Sequence, residues 1–408
     1  MGFVVLSSLK NCQFLPNQLV KWKVVLLLSL TTLLIIYVRV LYVSPMVPVF
    51  PINLSKRNQT IDLSKRNQTI DLSKRNQTVN QSHRPKTKVT FMNKDLCVSP
   101  PIQNKKLKTA VIIVLSARTN FNDRNLIRQT YGSVQYANNV QILALIFILS
   151  QSGAQADDEA VNKKLQAERD LFGDTMMGDF VDSYRNLTLK TIMAYEWLTE
   201  YCRQAQFVVK TDDDVIVNIF ELTHQLDSFS PAEMASSNIW GWIHFNEDTI
   251  KDEKSRFYAP AVDFPSGKFP EHCAGVGYIT TFGVVERIIN EISNSFPGRV
   301  STHEDVFMTG VVPAHINSMA SYTGSNSERI KLVNQPLSVS YVFQNGRDDK
   351  DDFLIHFVKN ETMDMEVKNF DTFRERNSKR IFFLIAHTKE FEMIYRRLWE
   401  IIKKASST

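Results

Sequence analysis

Apolar residues in the second half of the chain gather into short unbroken runs separated by charged, helix-forming stretches. Val111–Leu115 is such a run between polar neighbours, the pattern of a central strand buried on both faces. Ser116–Asn120 reads as a loop, and Arg124–Tyr131 as a helix with Asp123 as its N-cap. Val140–Leu149 is a second β-rich run. Ala156–Phe172 is charged and helical, with Val161, Leu165 and Phe172 on one face. Thr188–Tyr201 predicts a further helix with Leu189, Ile192 and Met193 inward, and Phe207–Val209 a further strand. Alternating strand and helix implies an α/β fold: a mostly parallel sheet with helices on both faces. After Asn218 the pattern loosens. Ile239–Ile243 predicts a short strand, and the stretch 251–269, with Pro260, Pro265 and Gly267, has no regular period. Cys273–Thr281 starts with glycines where a backbone must come close to something and continues as a strand. Gly283–Ile292 is helical, and Arg380–Lys404 is an amphipathic helix or a strand followed by one.

The first hundred residues follow other rules. Val24–Val43 is apolar except for Ser29, Thr31, Thr32 and Arg39. A helix of that length spans about 30 Å, one hydrocarbon core. Trp22, Tyr37 and Tyr42 are suited to the interface, and no small-x-small cleavage site follows. The expectation is a cytosolic tail at 1–23 and an uncleaved transmembrane signal-anchor at 24–43. Next, the nonapeptide LSKRNQTID at Leu54–Asp62 recurs at Leu63–Asp71 and, as LSKRNQTVN, at Leu72–Asn80. With no aromatics and few aliphatics, these copies cannot build a core. Asn-x-Ser/Thr sequons occur at Asn53, Asn58, Asn67, Asn76, Asn80, Asn186 and Asn360, all after the apolar span, which puts the C-terminal part in the secretory lumen. Residues 44–105 read as a flexible, glycosylated stem, and 106–408 as the globular part.

Charge sharpens this division. The formal net charge of +5 combines +4 in residues 1–43 and +7 in residues 44–95, which leaves −6 for the remainder. The basic balance belongs to the anchor and stem, and a mildly acidic globular part argues against nucleic acid as a partner. Cys97, Cys202 and Cys273 fall on the lumenal side, where oxidation is permitted; three thiols allow at most one intrachain bridge.

The chemistry concentrates at Asp212-Asp213-Asp214, directly after the strand 207–209. In such sheets ligands gather at the carboxyl ends of strands. Carboxylates crowded this closely repel one another unless a cation sits among them, and hard oxygen donors suit Mg²⁺ or Mn²⁺, which in turn suit a diphosphate. The alternative is an acidic surface turn. A second acidic site is Glu304-Asp305, after Ser301-Thr302-His303. Ser301 and Glu304 have capping-box spacing, so the acids either start a helix or supply a general base. His356 follows an apolar run, a setting more often structural than ligating.

Five blocks in order then resemble the β-1,3-galactosyltransferase family (glycosyltransferase family 31). They are Arg124–Gly132, Asp179–Thr191, Lys210–Val215, Phe269–Tyr278 and Glu304–Val306. The resemblance implies a type II Golgi membrane protein with a GT-A nucleotide-sugar-binding fold. It implies inverting transfer from a UDP-sugar to a hydroxyl of a glycan or glycolipid acceptor, with Mn²⁺ as cofactor. Asp212 and Asp214, with His356, would hold the metal. Asp212 and Asp213, Arg124, Arg128, Gly275 and Gly277 would line the donor site. Asp305, beside Glu304, would be the catalytic base. Tyr131 and Phe257 stand where tryptophan is usual, and Glu271-His272 replaces a Pro-Tyr pair, all toward the acceptor side. Galactose is the expected sugar. UDP-GlcNAc as donor is an alternative, as is an inactive lumenal binding or chaperone partner of glycosyltransferases. The intact acidic residues disfavour the last.

Overall fold

Residues 88–98, 107–153, 159–298, 300–323, 329–334, 339–343, 383–387 and 391–406 are described by the structure, a computed structural model. The expected anchor at 24–43, the stem repeats and His356 lie outside the described residues.

The strands in chain order are β1 (Val89–Phe91), β2 (Lys108–Leu115), β3 (Tyr136–Ala137), β4 (Val140–Gln151), β5 (Thr175–Val181), β6 (Phe207–Asp212), β7 (Val215–Val217), β8 (Asn238–His244), β9 (His272–Thr281), β10 (Lys331–Asn334), β11 (Val339–Phe343) and β12 (Phe383–His387). The main sheet runs β1-β5-β4-β2-β6-β9-β8-β10, with β3 on β4. β5, β4, β2 and β6 are mutually parallel. On the far side of β6 the sheet changes character, because β9 is antiparallel to both β6 and β8. The sheet is therefore mixed, not mostly parallel. The reason lies in the connection: no helix joins β8 to β9, and the irregular stretch between them brings the chain back beside the strand it left, as antiparallel pairing allows. A small second sheet, β11-β12-β7, completes the pattern.

Side-chain alternation along β2 divides the core. Ala110, Ile112 and Val114 join one apolar cluster with the helices Phe121–Gln129, Ile219–Ser228 and Phe391–Ala405. Val111, Ile113 and Leu115 join the other, with the helices Leu187–Tyr201 and Phe282–Ser295. Successive residues of a strand point to opposite faces, so a run of apolar residues with no polar interruption needs a layer on each side. Helices do cover both faces, as expected. The helix after the first loop begins at Phe121 with Asn120 as its cap, so Asp123 sits in its first turn and does not cap it. The C-terminal segment resolves into β12 and the helix Phe391–Ala405.

Cys97 and Cys202 form a disulfide, which ties the segment after β1 to the end of the helix Leu187–Tyr201. Cys273 is the leftover thiol, buried in β9; burial, then the nearby Asp305 charge, pushes it up to about 12, so it stays unreactive at neutral pH.

Candidate active site

β6 ends the run of mutually parallel strands β5, β4, β2 and β6, and the register pairs its Asp212 with Leu115 at the end of β2. Two carboxyl ends therefore finish together. The Asp213 N–H donates to the Leu115 carbonyl at 3.1 Å, which folds the acidic triplet over the loop that follows β2. Asp213 Oδ2 accepts from Asn120 Nδ2 at 3.0 Å and from the Ala117 N–H at 3.3 Å. Thus the middle aspartate faces the protein and fastens the loop. Asp212 keeps a third of its side chain exposed.

Negative charge accumulates here. Burial, then the charges of Asp213 and Asp214, lifts the Asp123 carboxyl to about 6. Burial lifts Asp213 too, against the hydrogen bonds from Ser116 and Asn120. Asp212 is shifted upward by burial, drawn down by Lys210 and raised again by Asp214. After burial, the Asp214 charge adds to the cost of ionising Asp123, Asp212 and Asp213, a crowding of carboxylates that a hard cation would relieve.

Lys210 is the residue that sequence reading overlooked. It is fully buried one turn of the pleat before Asp212, and its Nζ lies 2.9 Å from Asp212 Oδ1 and 3.2 Å from Glu304 Oε2. It also donates to the Gly275 carbonyl. Burial opposes its charge, but the Asp212 and Glu304 carboxylates outweigh burial and hold its pKa above the usual lysine value. A buried ammonium with no such partners would lose its proton, so the ion pairs and the placement of these groups are one event. A lysine inside an apolar strand, two residues before an aspartate on the same face, was the available signal.

Glu304 and Asp305 start the helical segment that continues through a π-helical turn, Val306–Val311, into the helix Val312–Thr323. The two have separate roles. Glu304 is buried and accepts from Thr191 Oγ1 at 2.9 Å and Tyr278 OH at 3.0 Å as well as facing Lys210. With those donors taken up it holds Lys210 in place, and its expected catalytic part becomes a positioning one. Nor does the capping box form, since Ser301 Oγ accepts from the His303 N–H at 3.3 Å. Asp305 is only partly buried; its Oδ1 accepts from the Val306 N–H at 2.8 Å. Its other oxygen lies over Gly275, where a Cβ would sit 2.9 Å from Oδ2. Gly275 is therefore the point where β9 lets Asp305 approach. Gly277 pairs with Thr211 in the ladder, next to Lys210 opposite Tyr278. The triplet and Asp305, far apart in sequence, thus meet through Lys210 and Gly275.

The two arginines take a different place from the one expected. All the N–H groups of Arg124 are engaged: with Glu168 at 2.8 and 2.7 Å, and with Ser116 Oγ and the Ala117 and Arg118 carbonyls. Arg128 pairs with Glu168 and, in bidentate fashion, with Asp174. Neither guanidinium is presented to a donor. Arg124 instead shapes the 116–118 loop, which Lys190 and Asp182 fasten from the other side: Lys190 Nζ donates to the Ser116 carbonyl and to Asp182 Oδ1, both at 2.7 Å, and Asp182 Oδ2 accepts from the Arg118 N–H. Among the described residues no third His, Cys, Asp or Glu completes a three-ligand group with Asp212 and Asp214. The third expected ligand, His356, is outside them.

An aromatic edge borders Asp305. Tyr184 meets Phe257 edge-to-face at 5.4 Å, and the Arg256 guanidinium lies over both rings. Burial, and next the Asp305 charge, pushes the Tyr184 phenol up to about 12.

The galactosyltransferase family model matches residues 122–318, from the first turn of the Phe121–Gln129 helix into the Val312–Thr323 helix, which takes in the acidic triplet, Lys210, Gly275, Glu304 and Asp305. Over 204 residues the chain is 31% identical to β-1,3-galactosyltransferase 1 of Homo sapiens and of Mus musculus, half of this chain and 60% of theirs. Over 198 residues it is 32% identical to β-1,3-galactosyltransferase 5 of Homo sapiens, 48% of this chain and 60% of that one. The resemblance that the five blocks carry therefore holds. The matched part spans about 60% of the length of these relatives. A solved apo structure of the bifunctional glycosyltransferase WbbM superimposes with a TM-score of 0.35 at 12% identity, covering 76% of this chain and 53% of that one; so slight a likeness carries no weight.

Proposed function

We propose that this chain, whose central region carries the galactosyltransferase pattern, is a metal-dependent inverting glycosyltransferase of the GT-A type. It moves galactose from UDP-galactose in β-1,3 linkage to an acceptor sugar on a glycolipid or glycoprotein. It works in the Golgi lumen, held by one N-terminal helix. The observation that supports this most is the meeting of the β6 carboxylates with Asp305 across Lys210 and Gly275.

Manganese or a similar ion, when bound, would neutralise the charge that develops on the departing diphosphate. The oxygen donors of Asp212 and Asp214 fit such an ion, and His356 is the further ligand the resemblance implies. The rest falls to the chain's own groups. Asp213, Asn120, Arg124 and Lys190 set the loop after β2, so the nucleotide meets a fixed backbone. Lys210 and Glu304 lock the strand end to the helix start, which fixes Asp305 relative to the donor. Asp305 Oδ2, turned toward Gly275, takes the proton of the attacking hydroxyl as the new C–O bond forms. One base suffices, because the leaving group needs no protonation when its charge is met by the cation. The Tyr184–Phe257 edge with Arg256 gives the acceptor ring a face to lie on, with a polar group beside it.

Transfer from UDP-galactose to a panel of glycan and glycolipid acceptors, measured for the full chain, tests the proposal. Transfer should require Mn²⁺, and Asp305→Asn should reduce it roughly 100- to 10,000-fold, the range of a lost general base. Wild-type transfer by Asp305→Asn, or full activity in EDTA, overturns it.

A further inference from the structure

A second set of ligating side chains, with none of the acidic triplet among them, comes together where β8 ends and β9 begins. His244 ends β8 and His272 begins β9, and the strand register pairs them directly. Their imidazoles stack at 5.2 Å with 11° between planes. Glu247, just past β8, turns back so that its Oε2 lies 3.3 Å from His244 Nδ1 and 3.6 Å from His272 Nε2. One ligand atom from each falls within 4.8 Å of the others. We propose that His244, Glu247 and His272 bind a divalent transition cation of the zinc class, with a fourth position left to water. The proposal does not depend on the chemistry assigned to Asp212–Asp214.

Two features of the geometry support it. The first is spacing. Zinc bonds of about 2.0–2.1 Å to nitrogen and oxygen in a tetrahedron put neighbouring ligand atoms about 3.3 Å apart. The distances from Glu247 to the two rings are already close to that. The second is the proton on His272. Its Nδ1 lies 2.8 Å from the Pro270 carbonyl, which can only accept, so Nδ1 carries the hydrogen. With Nδ1 spent on that carbonyl, Nε2 is the ring atom left to face Glu247 Oε2, beside a buried ring. A ring N–H held by a backbone carbonyl is how ligating histidines are usually oriented, with the other nitrogen turned to the metal. Two histidines and one glutamate with an open position match zinc, whereas an all-oxygen set matches magnesium, calcium or manganese.

The position suggests a purpose. Glu247 and His272 bracket the irregular segment between β8 and β9. Its two ends are also joined by Phe269 N–H to the Glu247 carbonyl at 3.0 Å and Thr249 N–H to the Gly267 carbonyl at 3.0 Å. The segment carries Phe257 toward the site, and the Phe257 carbonyl is 3.1 Å from His303 Nε2, the neighbour of Glu304 and Asp305. A cation at its base would clamp the segment that forms the acceptor edge. Gly310 packs against the same segment: a Cβ there would lie 3.0 Å from the Glu271 carbonyl oxygen and 3.1 Å from His272 Cβ, so a larger residue would press on the backbone at His272.

Cobalt(II) reports this site without any assay of transfer. The full chain, stripped with chelator and desalted, is titrated with Co²⁺ and then Zn²⁺. Visible absorption of nitrogen-ligated four-coordinate cobalt should rise to about one equivalent per chain and be bleached by Zn²⁺. Asp214→Ala should keep the bands. His272→Ala and Glu247→Gln should lose them. Glu247 is 45% exposed, so its variant keeps the fold, as an unchanged thermal melt in chelator would show. Absence of the bands in the wild-type chain, or their persistence in Glu247→Gln and His272→Ala, overturns the proposal.

Discussion

Lys210 is the residue on which the site's geometry turns. Its ammonium is the meeting point of Asp212, Glu304 and the Gly275 backbone. Lys210→Met would leave Glu304 buried with no counter-charge, and breaking such a pair costs about 3–5 kcal/mol. Urea unfolding should show that loss in the midpoint, and transfer should fall with it; an unchanged midpoint would mean that the pair contributes nothing. Gly275→Ala asks a narrower question. The added methyl meets Asp305 Oδ2 at 2.9 Å, and the backbone there is not one that demands glycine. Asp305 must move, so transfer should drop about 10- to 100-fold with stability nearly unchanged. Equal loss of stability and activity would show instead that the strand itself is disrupted. At this scale the sequence singled out Asp212, Asp305 and Gly275, which the structure brings together around Lys210. Arg124 and Arg128 were visible, but their partners Glu168 and Asp174 lie some forty residues on in a helix and a loop, so burial in ion pairs could not be read from spacing. Glu304 misled for a similar reason: capping-box spacing is local, while Lys210, Thr191 and Tyr278 are not.

Among elements, the parallel half of the sheet follows from apolar runs alternating with amphipathic helices, and it forms as expected. β5 was the strand left out of that reading. Its sequence TMMGDFV has weak alternation and a glycine, and it becomes a strand because β4 and β1 lie on either side of it. The antiparallel half was not legible, since nothing in 251–269 shows that the chain doubles back. The Cys97–Cys202 bridge joins elements that the main chain connects only through 105 residues. Cross-links that close long loops contribute most, about 2–5 kcal/mol for native disulfides. Cys97→Ser with Cys202→Ser should lower the thermal midpoint accordingly, with metal-dependent UDP binding retained in the fraction that stays folded. A midpoint equal to that of the wild-type chain would show the bridge to be idle.

For the whole molecule, the carboxylates gathered where β2 and β6 end have a consequence for stability. The sign follows from linkage. Asp123 has its folded pKa raised to about 6, so the folded chain binds the proton more tightly than the unfolded one. The stability this contributes is present below the ordinary aspartate value and is lost as pH rises through about 6; Asp213 shifts in the same direction. A cation offsets the repulsion only when the carboxylates are ionised. The rise in thermal midpoint on adding Mn²⁺ should therefore be small near about pH 5 and larger near about pH 7.5. An increment that is flat across that range would separate the cation from these carboxylates. The Asp214→Ala chain should show no increment attributable to this site at either pH.

The most direct measurement is titration of UDP into the full chain with Mn²⁺ and again in EDTA. Binding should appear only with the metal, vanish in Asp214→Ala and survive in Asp305→Asn. UDP binding of equal strength in EDTA, or untouched by Asp214→Ala, would contradict the claim that the carboxylates at the end of β6 hold the nucleotide through a cation.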